Sequence, residues 1–84
     1  MIPTRFLRAA DAKPGDVVRV TCDPSNNKLT LTLDSNAQPG DADTKQVERY
    51  GDLRLWRSTL QAANLGLSGL KIENENGSVV VSEA

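Results

Sequence analysis

Two stretches of alternating aliphatic residues, each bent about a tight-turn sequence, constrain this 84-residue chain more than any other feature. In the first, Val18, Val20 and Cys22 alternate with Val17, Arg19 and Thr21. Asp23-Pro24-Ser25-Asn26-Asn27 follows, and the alternation resumes as Leu29, Leu31 and Leu33 against Thr30 and Thr32. A period of two is the signature of a strand with one face buried, and the Asp, Pro, Ser and Asn cluster favours a turn. Asp16 to Asp34 is therefore predicted to be a β-hairpin with a leucine-lined core face and a threonine-lined solvent face. In the second stretch, Leu70 and Ile72 alternate with Lys71 and Glu73, Asn76-Gly77 makes a two-residue turn, and Ser78 to Ser82 is a β-branched run.

A short helical pattern precedes each hairpin. Phe6, Leu7, Ala9 and Ala10 run into Lys13-Pro14-Gly15-Asp16, where proline and glycine stop a helix. Ser58 to Leu65 run into Gly66, placed where a C-terminal glycine is expected. Ser35 to Thr44 is polar and turn-rich, as a linker or long loop would be. The order helix, turn, hairpin thus occurs twice. Setting Ile2 against Leu55 brings Leu7 opposite Leu60, Ala9 opposite Ala62, Ala10 opposite Ala63 and Asp11 opposite Asn64. After the turn the register slips by one, and Val18 and Val20 fall opposite Leu70 and Ile72. The expected organisation is one domain, 1–84, with pseudo-repeats at 1–35 and 46–84 and a linker at 36–45.

A second reading of the middle competes with this one. Val47, Tyr50, Leu53, Trp56, Leu60 and Ala63 recur at spacings of three and four, as on one amphipathic helix over 44–65. That pattern predicts a hairpin–long helix–hairpin sandwich. Against it stand Tyr50-Gly51-Asp52, costing a helix interior about 1 kcal/mol, and the strand-like alternation of Leu53 and Leu55 about Arg54.

Composition removes most chemistry. Histidine is absent and Cys22 is the one cysteine, so the commonest general base and the usual zinc ligands are missing. Gly66 and Gly69 do not make a phosphate-binding fingerprint. Asp11, Asp16, Asp23 and Asp34 sit at turn positions, where carboxylates cap rather than catalyse. Cys22 reads as a small strand residue, with no cationic cluster around it in sequence to activate a thiol. No segment has the ~20 apolar residues of a membrane span, and Arg5 and Arg8 interrupt any signal-peptide pattern. The expectation is a cytoplasmic, non-enzymatic binding protein with no cofactor, no metal and no membrane partner.

The stretch VERYGDLRLWRSTLQAANLGLSGLKIENENGSVVVSE, Val47 to Glu83, resembles the swapped-hairpin domains of the SpoVT/AbrB superfamily, and MazE-like antitoxins in particular. It has a basic, aromatic and glycine-containing segment, a strand carrying an arginine, a Leu-x-Ala-x-x-Leu helix, a turn and a β-branched hairpin. IPTRFLRAADAKPGDVVRVTCDPSNNKLTLTL, Ile2 to Leu33, resembles the same family from the end of its first strand, with Ile-Pro opening the helix and Pro-Gly-Asp before the hairpin. The resemblance implies a mainly β (α+β) chain with short helices, a small swapped-hairpin β-barrel made from two pseudo-repeats. It also implies a DNA-binding transcriptional regulator or antitoxin-like protein. The residues corresponding to the DNA-contacting segment are Arg49, Tyr50 and Arg54, with Arg57 nearby, and Glu48 and Asp52 stand among them. Only the second copy has that segment; Met1-Ile2 leaves the first without it.

Charge qualifies the reading. Ten basic and eleven acidic residues give a net charge of −1, so DNA would have to be held by a local patch. Trp56 is expected in a core or interface, and Lys13 and Arg19 on the surface beside the first hairpin. The alternative is a small phage- or plasmid-type inhibitor that binds a protein and not DNA, with Asp34, Asp41 and Asp43 facing a basic partner. The open edge of the first copy is a place where two chains could pair as a homodimer.

Overall fold

The computed structural model describes residues 2–66 and 69–84; Met1, Leu67 and Ser68 lie outside the described residues. Both hairpins form where the alternation predicts them. β1 (Val17–Asp23) runs antiparallel to β2 (Lys28–Leu33), with Val20 opposite Leu31. β4 (Leu70–Glu75) runs antiparallel to β5 (Ser78–Glu83), with Ile72 opposite Val81. The second turn places Asn76 and Gly77 at φ 51° and 80°, the left-handed pair that matches the twist of a two-residue hairpin.

The hairpins join through β2 and β5, where Leu29 lies opposite Val81 and Leu31 opposite Val79. β3 (Thr44–Gln46) adds outside β1, and the strand order is β3-β1-β2-β5-β4. The chain is thus mainly β: one five-stranded antiparallel sheet with two short helices. Its sheet is open, because β3 and β4 are edges that do not pair with each other. The hydrogen-bonded barrel implied by the resemblance is not closed, since closure requires the first and last strands to meet.

Strand alternation sends Val18, Leu29, Leu31, Val79 and Val81 to one face, each 1% exposed or less. Burying a side chain of this size contributes about 1.5–3 kcal/mol. On the other face Thr32 is exposed and its hydroxyl shares a 2.9 Å hydrogen bond with that of Ser78. Val17 and Val80 lie on this threonine face and are nevertheless buried.

α1 (Thr4–Ala9) and α2 (Arg57–Ala62) deliver Leu7 and Leu60 to the core. α1 packs against β4 and α2 against β1, so each helix lies on the hairpin of the other half. Both helices end alike. The amide of Asp11 donates to the Arg8 carbonyl at 3.0 Å and that of Ala12 to Leu7 at 2.9 Å. Asn64 donates to Gln61 at 2.9 Å and Leu65 to Leu60 at 2.8 Å. Asp11 and Asn64 take φ 64° and 59°. This is the Schellman arrangement, which satisfies the last helical carbonyls. Asn64, not Gly66, therefore holds the left-handed terminating position of α2, because an asparagine tolerates that conformation.

Residues 44–65 do not form one long helix. β3 occupies the start, Gly51 sits at φ 87°, and Leu53 makes a bridge with Ile2. The polar stretch 36–45 makes local contacts of its own. Ala37 is buried, Gln38 N–H donates to Asp41 Oδ2 at 2.8 Å, and Thr44 and Lys45 already belong to β3. Among the described residues no helix is long and apolar enough to cross a membrane.

Candidate nucleic-acid interface

Three of the four residues expected to contact DNA lie between β3 and α2, and Arg57 opens α2. Two buried side chains, Val47 and Leu53, pin this segment to the body of the protein. At one end Val47 N–H donates to Asp16 O and Gly15 N–H to Val47 O, both at 2.9 Å. At the other, Ile2 and Leu53 exchange backbone hydrogen bonds of 2.7 and 3.2 Å. Glu48 N–H donates to Asp52 O and Gly51 N–H to Glu48 O, each at 2.8 Å, drawing the chain into a tight loop. Thr4 clamps that loop from α1, its hydroxyl donating to Tyr50 O at 3.1 Å. A Cβ at Gly51 would lie 2.8 Å from Thr4 Cγ2, so glycine is required there both by space and by its positive φ.

Arg49 and Tyr50 form the exposed tip. Tyr50 is 79% exposed, and the Arg49 guanidinium lies 5.2 Å from its ring centroid, within cation–π range. Behind them, Arg8 from α1 and Lys13 from the following turn join Arg49 around a cleft of about 180 Å³ whose lining includes no carboxylate. Arg54 belongs to a different depression of about 190 Å³, shared with Lys45, Gln46, Glu48 and Trp56. There the Lys45 ammonium sits 5.0 Å from the Trp56 ring, and Glu48 supplies an opposing charge. Burial lowers the Lys45 pKa from its ordinary value. Arg57 is exposed and lines neither depression.

The segment therefore carries two cationic clusters and not one stripe. Trp56, expected in a core or interface, is 61% exposed; α2 turns Leu60 inward, and the tryptophan that precedes it stays outside under Lys45. Arg8, Lys13 and Lys45 are the members that sequence reasoning missed. Arg8 and Lys13 reach Arg49 because the Ile2–Leu53 bridge and the bonds from Thr4 and Gly15 lay α1 and its following turn beside the loop. Arg19 is a structural surface residue, its Nε donating to Asp34 Oδ2 at 2.9 Å.

The remaining polar groups offer little chemistry. A cleft of about 300 Å³ between α2 and the β1–β3 edge is lined by Val20, Cys22, Asp43, Lys45 and Thr59 among others. Burial first, and then the Asp43 charge, push the Cys22 thiol pKa up, which disfavours the thiolate that a nucleophile requires. Asp16, Asp23 and Asp34 each accept hydrogen bonds within turns, from Lys13 N–H, Asn26 Nδ2 and Asn36 N–H. Among the described residues no cluster of His, Cys, Asp or Glu is grouped to hold a metal ion. No known protein family, curated protein or solved structure matches this chain.

Proposed function

We propose that this chain binds DNA as a regulator or antitoxin-like protein of the swapped-hairpin kind, with Arg49, Tyr50 and their neighbours as the contact surface. The observation that carries the reading is the carboxylate-free cleft of Arg8, Lys13 and Arg49 beside an exposed tyrosine. Phosphates are held by such clustered cations even when the net charge of the protein is near zero. Arg54, in the second depression with Lys45, and the exposed Arg57 are separate cations on the same segment. The packing of α1 on β4 and α2 on β1 supports the swapped-hairpin reading, since each helix covers a hairpin from the other half. The protein-binding alternative draws on Asp34, Asp41 and Asp43. Two of these carboxylates are already engaged inside the chain, Asp34 by Arg19 and Asn36 and Asp41 by Gln38, which favours the DNA reading.

Fluorescence anisotropy with duplex from upstream of the protein's own gene tests this. The expected result is salt-dependent binding, with Arg49→Ala and Lys13→Ala each lowering the salt slope by about 1. Arg54→Ala weakens binding further, and Arg57→Ala least. Absence of binding at ~50 mM salt, where phosphate contacts are strongest, sinks the proposal.

A further inference from the structure

The sheet has two edges, and the fold treats them differently. Among the described residues β3, three residues long, pairs only with β1, whereas β4, six residues long, pairs only with β5. Among the described residues no strand pairs with the outer edge of β4. The Ala84 amide donates to Gly69 O at 2.7 Å, and antiparallel bonding alternates from there. Lys71, Glu73 and Glu75 therefore direct their backbone groups toward β5. Leu70, Ile72 and Asn74 direct theirs outward, unpaired.

The side chains select what can pair there. Lys71 and Glu73 stand on the exposed face, with their charged groups 2.8 Å apart and each about half exposed. Charged edges ordinarily discourage association, and like charges placed directly opposite each other repel. For two copies of β4 running antiparallel about a two-fold axis, centring on Lys71 opposes Lys71 to itself. Centring on Glu73 sets Lys71 opposite Glu75 but opposes Glu73 to itself at the axis, and centring on Asn74 opposes Glu73 to Glu75. Centring on Ile72 places Lys71 of each copy opposite Glu73 of the other, and Ile72 opposite Ile72 on the core side. In that register the outward N–H and C=O groups of Ile72 face their counterparts, as an antiparallel pair requires. Leu70 and Ile72 are half-buried against the core in the monomer, and a second strand would cover more of both.

We propose that β4 pairs with β4 of a second copy of this chain, in the register centred on Ile72. The longer of the two open edges of the sheet is thereby covered by a second molecule. This surface is separate from the loop proposed to contact DNA, and oligomeric state is measured without nucleic acid, so the two proposals fail independently.

Light scattering on the purified protein provides the test. Wild type is expected at twice 9.1 kDa. Lys71→Glu alone and Glu73→Lys alone should each be monomeric, because each sets like charges opposite one another. The double variant Lys71→Glu with Glu73→Lys should return to the dimer. Mixing the two single variants should yield a heterodimer, since each supplies the charges the other needs. Circular dichroism of each variant should match wild type, because the altered side chains are exposed. A wild-type mass of 9.1 kDa at every concentration overturns the proposal, as does a dimer that both single variants leave intact.

Discussion

The two halves share an order of elements and a way of ending their helices, yet they seal against each other differently. Asn74 on β4 donates from Nδ2 to the Phe6 carbonyl of α1 at 2.8 Å. At the corresponding place in the first hairpin, Cys22 on β1 reaches the Thr59 carbonyl of α2 at 3.9 Å. An amide closes one helix–sheet junction with a normal hydrogen bond, and a thiol closes the other with a weak one. The cleft under α2 opens at the weakly closed junction. A repeated architecture thus leaves single side chains free to decide which side is tight and which is open.

Core truncation tests whether the halves are equally strong, and has the largest expected effect. Leu7 is fully buried and Leu60 is 6% exposed. Leu7→Ala and Leu60→Ala should each cost about 2–5 kcal/mol in urea unfolding, with Leu7 the costlier because it sits at the tighter junction. Equal losses would mean that junction packing, and not the polar contact, dominates both sides.

The polar contact itself is the next test. Asn74→Ala should cost about 0.5–1.5 kcal/mol, the worth of a single hydrogen bond. Cys22→Ala should stay within about 0.5 kcal/mol of wild type. Equal costs would break the comparison.

The smallest effect separates the halves by pH. Arg19 on β1 pairs across to Asp34, whereas Lys71 on β4 pairs along its own strand with Glu73. The hydrogen bond from Arg19, followed by that from Asn36 N–H, lowers the Asp34 pKa from 3.8. The folded value lies below the unfolded one, so this contribution is full above 3.8 and is lost as pH falls through the folded value. The hydrogen bond to Glu73 raises the Lys71 pKa above 10.5, so its contribution is full below 10.5 and lost as pH rises through the folded value. Titration by nuclear magnetic resonance should show both displacements. Arg19→Ala should return Asp34 part of the way, leaving the effect of Asn36.

Much of the architecture was legible as local pattern. Hairpin alternation and the Asn76-Gly77 turn depend on neighbours a few residues apart, whereas the helix endings fell to Asp11 and Asn64 and not to the expected Pro14-Gly15 and Gly66. The candidate site was legible in part. Arg49 and Tyr50 were singled out through the resemblance, and they lie side by side at the loop tip, 5.2 Å from guanidinium to ring centroid. Arg8, Lys13 and Lys45 were not, because backbone pairing far along the chain brings them in. The helical spacing of Val47, Leu53, Leu60 and Ala63 misleads for a related reason. All four are buried, but from the residue after β3, a bridge, a short helix and its C-cap in turn, and not from one helical face.

Alternating side chains and turn residues were enough to specify two hairpins, since strand period and turn geometry are properties of adjacent residues. They did not specify which helix covers which hairpin, or that a short β3 would add outside β1. Nor did they specify that α1 and the turn after it would bring Arg8 and Lys13 to the Arg49 loop. Those outcomes follow from the Ile2–Leu53 bridge and the β2–β5 pairing, long-range contacts selected by burial of a shared core and not by local preference.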